Sequence, residues 1–97
     1  MSPDPRRNDV TVSCTPAPDG WTCRVTVGGP GPATSHEVTV RAGDLARLAP
    51  GAVDPGDLVE RSFGFLLARE PKTSILGRFD LMVIARYFPD YERTIRG

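Results

Sequence analysis

Val10-Thr11-Val12-Ser13-Cys14-Thr15-Pro16-Ala17-Pro18-Asp19-Gly20-Trp21-Thr22-Cys23-Arg24-Val25-Thr26-Val27 is the stretch that decides the fold. Apolar and polar side chains alternate at both of its ends, as strands with one buried face require. Between them, proline fixes φ and Asp19-Gly20 tolerates positive φ, so the chain reverses. The pattern predicts one strand over about 10–14 and an antiparallel second over about 21–27. Gly28-Gly29-Pro30-Gly31-Pro32 ends the second strand, and Val38 and Val40 mark a third over about 36–41. The result is a three-stranded antiparallel meander whose apolar face needs a cover.

The second half of the chain supplies that cover, giving an α+β fold. Residues 43–48 admit one or two helical turns before Pro50-Gly51. Asp54 and Pro55 form an N-cap and first-position pair for a longer helix over about 55–70, which Pro71 stops. Within it Val59, Phe63, Leu66 and Leu67 form one apolar stripe, with Leu58 and Phe65 in a second beside it. A helix with so wide an apolar arc touches more than one neighbour. Thr73 caps a short turn over about 74–79, and Asp80 caps a last helix over about 81–88 before Pro89. There Leu81, Ile84, Ala85 and Phe88 have the spacing of a core-facing stripe. Met82, Val83 and Tyr87 fall outside it, and Arg86 is the only charged residue from Leu81 to Phe88. That helix is either buried on nearly all sides or meets a partner with its second face.

At 97 residues the chain makes one core, because a division would leave each half too little apolar area to offset chain entropy. Residues 1–8 hold two prolines and little that is apolar, and are expected to form a flexible tail ahead of a single domain over 9–97. Twelve basic and twelve acidic side chains cancel, so no strong field steers the protein to nucleic acid or anionic lipid. The N-terminus lacks the apolar run of a signal peptide and no later stretch is long enough to span a bilayer. These features predict a soluble, cytoplasmic protein with no membrane partner. Cys14 and Cys23 would then be reduced thiols packed as small core residues. A cross-strand disulfide between them is open to the geometry under oxidising conditions.

Little in the chain points to catalysis. His36 is the only histidine, and strand parity puts it on the face that carries Cys14, Cys23 and Val38. The simplest register sets Cys14 opposite Cys23, Cys23 opposite Val40 and His36 opposite Val27, about 13 Å further along at roughly 3.3 Å per residue. The three then share neither a metal nor a proton, so no metal, cofactor or catalytic residue is expected. Gly28-Gly29-Pro30-Gly31 makes a poor phosphate cradle, because its proline lacks an amide donor and a strand follows. Asp54 with Asp57, or Glu60 with Glu70, supplies carboxylates that helix caps and solvated faces account for more simply.

Phe65 to Leu76, Arg78-Phe79-Asp80-Leu81 and Ile84 to Tyr91 resemble a group of short bacterial proteins known only as hypothetical. The likeness covers about the last third of the chain and implies no activity. The leading expectation is therefore a small non-catalytic interaction or regulatory module, which binds another protein or a second copy of itself. Its candidate surface is Met82, Val83, Arg86 and Tyr87, ringed by Arg78 and Lys72, since Arg, Tyr and Met are enriched at interfaces. The alternative is a nucleic-acid-binding module using Arg6, Arg7, Arg69, Lys72 and Arg78. Neutral charge and the lack of aromatics on an exposed strand face weigh against it, and a small enzyme ranks below both.

Overall fold

The structure, a computed structural model, describes residues 9–29 and 31–96. The expected tail over 1–8 lies outside these residues. The elements run β1 (Val10–Ala17), β2 (Gly20–Val27), β3 (Thr34–Arg41), α1 (Ala42–Leu48), α2 (Gly56–Leu67), a 3-10 turn (Lys72–Ser74), β4 (Arg78–Asp80), α3 (Val83–Tyr87) and α4 (Tyr91–Arg96). One four-stranded sheet has the order β1-β2-β3-β4. Its first two pairings are antiparallel and the last, β3 with β4, is parallel. The fold is α+β, with the meander extended by a fourth strand.

β1 and β2 meet around the two-residue turn Pro18-Asp19, with Cys14 opposite Cys23 as the alternation predicts. β1 runs past its expected end and includes Pro16. The Gly28 amide donates to the Asp9 carbonyl at 2.8 Å, which makes Asp9, Thr11, Ser13 and Thr15 the residues that bond to β2. The backbone groups of Val10, Val12, Cys14 and Pro16 therefore point outward, where a missing N–H breaks no ladder bond. Gly20, at φ +155°, lets β2 start against β3: a Cβ there would overlap the Val40 oxygen and lie 2.8 Å from the Ala42 nitrogen.

The β2–β3 register departs from the expected one by two residues. Cys23 faces Val38 and His36 faces Val25, because β3 begins at Thr34 and shortens the connecting loop. His36 thus lies much nearer the cysteines than the simplest register places it. The cysteines themselves correct a second expectation: they are not thiols but a Cys14–Cys23 disulfide with Cα atoms 4.0 Å apart. They form a non-hydrogen-bonded antiparallel pair, the kind whose Cα atoms approach most closely.

On the helical side of the sheet Cys23, Val25, Val27, His36, Val38 and Val40 are buried, whereas Thr11, Ser13, Arg24, Thr26 and Thr39 face solvent on the other. α2 packs across β1 and α4, so both of its apolar stripes are used. α2 starts one residue later than the Asp54–Pro55 pair suggests: Pro55 is its N-cap, without a side-chain cap, and Asp54 Oδ1 accepts from the Gly56 amide at 2.9 Å just ahead of the helix. Phe63 sits at the centre, 5.4 Å from the His36 ring and 6.2 Å from Phe79 between centroids. Ser62, also buried, donates to the Leu58 carbonyl at 2.7 Å and meets the Tyr91 hydroxyl at 2.6 Å. That contact ties α4 to α2. Burial pushes the Tyr91 phenol up to about 12.

Residues 74–79, expected as a helical turn, are extended beyond Ser74 and lead into β4. Three residues are too few to show a period of their own, and pairing with β3 decides the outcome. The last helix is shorter than expected. Leu81 prolongs the sheet contact by donating to the Thr39 carbonyl at 2.9 Å, and Asp80 Oδ1 accepts from the Met82 amide at 2.9 Å ahead of α3. Residues 93–95, open to a strand reading, belong to α4. No helix among the described residues is long and apolar enough to cross a membrane.

Candidate functional site

Where α3 turns away before Pro89 it leaves a groove of about 370 Å³ between itself, the C-terminal end of α2 and the segment entering β4. Leu66 forms part of its floor with Phe79 and Ile84, and Ile75, Leu76, Val83, Tyr87 and Phe88 complete the apolar lining. Among the described residues three large apolar side chains are exposed, Val53 at 89%, Tyr87 at 69% and Leu76 at 50%. Two of those three border this groove.

The groove's walls are held from behind. His36 Nδ1 lies 2.8 Å from the Leu76 carbonyl, which can only accept, so the proton sits on Nδ1. In the neutral ring Nε2 then accepts from the Thr34 hydroxyl at 2.8 Å. Both ring nitrogens are satisfied, and the histidine fixes Leu76 in place. Phe88 meets Phe65 edge-on at 5.7 Å, anchoring the end of α3.

Glu70 is the one charged side chain in the lining, and it makes no ion pair among the described residues. Its neighbour Arg69 is turned away. That guanidinium lies 3.5 Å from the Phe65 ring centroid, donates to the Phe65 carbonyl at 3.0 Å and reaches Asp90 at 3.5 Å. The groove is thus apolar with a single carboxylate at its side. Such a surface recognises an apolar partner and prefers a cation beside it.

Of the six residues expected to form a partner surface, Val83 and Tyr87 line this groove. Met82 packs the other way, its Sδ 3.4 Å from Arg47 Nη2, and that arginine also pairs with Asp44 and Glu92. Arg86 is exposed but outside the lining. Arg78 pairs with Glu37 at 2.9 Å, and the Lys72 side chain is buried with Nζ donating to the Gly28 carbonyl at 3.2 Å. Leu66, Glu70, Ile75, Leu76 and Phe79 were absent from that expectation. The side chains from the extended segment carry no helical spacing to reveal a shared wall.

The other chemistries find no assembled site among the described residues. No three of His, Cys, Asp and Glu gather where they would hold a metal. Asp54 accepts from the Gly56 amide at the start of α2, and Asp57 pairs with Arg61 at 3.0 Å. Arg69, Lys72 and Arg78, considered for phosphate contacts, are engaged in three separate places. Comparison of the chain with protein-family models, curated proteins and solved structures finds no match.

Proposed function

We propose that this chain is a small non-catalytic interaction module that takes the apolar face of an amphipathic helix from another protein, with a basic residue of that helix beside Glu70. The observation that carries the reading is the meeting of exposed Tyr87 and Leu76 on one apolar groove. Clustered apolar exposure of this kind is the usual mark of recognition, whereas single exposed residues such as Val53 are ordinary. Helices seat such grooves with side chains at i, i+3 or i+4, and i+7. The Glu70 carboxylate, which makes no ion pair among the described residues, supplies the sign of the charge.

In the cytosol glutathione would oppose the Cys14–Cys23 bridge, so the oxidation state of this pair in cells bears on the expected setting.

The reading is tested by selecting helical peptides from a displayed random library against the protein and then ranking them against its variants. Enriched sequences should carry apolar residues at helical spacing with Lys or Arg on one flank. They should lose binding at least about tenfold to Tyr87→Glu, the change expected when a central aromatic anchor is removed. Glu70→Lys should shift selection toward acidic flanks. Peptides that bind Tyr87→Glu as well as the parent protein, or that show no apolar spacing, would reject the proposal.

A further inference from the structure

The two edges of the sheet are built differently. β4 is three residues long and carries Arg78 and Asp80, so it offers little to an incoming strand. β1 is eight residues long, runs in unbroken register from Val10 to Ala17, and holds no charged side chain. Its outward backbone groups at Val10, Val12 and Cys14 bond to nothing among the described residues. On the helical face the side chains of these residues are half-buried, whereas those of Cys23, Val25 and Val27 beside them on β2 are fully buried. α2 covers the inner part of these side chains, so what β1 leaves open is its outer rim and its outward backbone groups, and length with neutrality is what natural edges usually avoid.

We propose that β1 pairs with β1 of a second copy, antiparallel about a two-fold axis at Val12, to form a continuous eight-stranded sheet. The sequence of the edge is complementary to itself in this register. Val12 meets Val12 of the partner subunit, Val10 meets Cys14 of the partner subunit, and Thr11 meets Ser13 of the partner subunit. The half-buried side chains of one copy cover those of the other, and the hydroxyls pair on the solvent side. Pro16, the one outward position without an N–H, falls beyond the five paired residues 10–14 and marks where pairing stops. The intrachain disulfide ties Cys14 to β2, so its sulfur is already engaged within the chain when the edge pairs. Both apolar grooves lie beside β4, at the far ends of the eight-stranded sheet, and stay open. This inference does not depend on the proposed function.

Sedimentation equilibrium of the whole chain tests it. The parent protein should sediment at twice its 10.5 kDa mass at micromolar concentration. Thr11→Lys with Ser13→Lys sets like charges directly opposite each other across the axis at two solvent-exposed rungs, and should return the monomer with an unchanged far-ultraviolet circular dichroism spectrum. Tyr87→Glu, on the groove, should leave the dimer intact. Should the double variant fail to fold, Val12→Pro removes the outward N–H at the axis without breaking a bond to β2, at the cost of a fixed φ and a trimmed apolar contact, and should give the same monomer once its circular dichroism spectrum shows it folded. A parent protein that is monomeric throughout, or a dimer that survives in the folded edge variant, would overturn the proposal. A dimer lost only in Tyr87→Glu would likewise overturn it and move the interface to the groove.

Discussion

Ser62 and Tyr91 hold one buried hydrogen bond between α2 and α4, yet removing either oxygen should not cost the same. Ser62 has one hydroxyl proton, and the Leu58 carbonyl at 2.7 Å takes it. The 2.6 Å contact is therefore Tyr91 donating to Ser62. Tyr91→Phe deletes the donor and leaves Ser62 with its carbonyl, a loss of about 1 kcal/mol. Ser62→Ala strands a phenol that is wholly buried and should cost about 2 kcal/mol. Urea unfolding of both variants at neutral pH measures this difference. The phenol also makes the fold sensitive to alkali. Its pKa is raised from 10.0 to about 12 in the folded chain. Below 10 both states hold the proton and the contribution is complete. Between 10 and 12 the unfolded state loses its proton first, so stability falls as pH rises, by up to about 3 kcal/mol at 1.36 kcal/mol per unit. Tyr91→Phe should flatten that decline. If Tyr91→Phe costs more than Ser62→Ala, or leaves the alkaline slope unchanged, the assignment of donor and acceptor is wrong.

The bridge between Cys14 and Cys23 closes a loop with a sequence separation of 9, worth about 2.6 kcal/mol in the unfolded chain. Replacing both cysteines by alanine should lower Tm by about 10–20 °C for a domain this size, and the intact protein should weigh about 2 Da less before reduction than after it. Equal masses would show free thiols. Gly20→Ala should cost about 3 kcal/mol or more, because it adds both backbone strain and overlap with the Val40 oxygen. Thermal unfolding reads the loss, and an unchanged Tm would mean that β2 does not start as described.

The meander was legible because Val10, Val12, Cys14, Cys23, Val25 and Val27 alternate without interruption, and the same parity put the two cysteines on one rung. The wide arc of α2 likewise foretold two contacts, which β1 and α4 provide. What failed depended on partners distant in the chain. Phe79 joins the sheet through β3, to which no local pattern points, so β4 read as a turn. The β2–β3 register rests on how far the loop after Val27 zips, and glycine and proline mark only that a loop exists. Lys72 read as a surface cation because lysine seldom buries, while its carbonyl partner at Gly28 lies far away in sequence. The groove was half-seen for the same reason. Val83 and Tyr87 stand out from the stripe of their own helix, but Glu70 and Leu76 join them only once the fold has formed.

Lys72 is the only lysine in the chain, and burying it has a practical consequence. Acylating reagents and amine-to-amine cross-linkers have one side-chain target, and in the folded protein that target is closed. Its rate of acylation therefore reports how often the packing between the 3-10 turn and the Gly28 end of the sheet comes apart. A single mass peak, followed over time, turns this residue into an internal clock for opening.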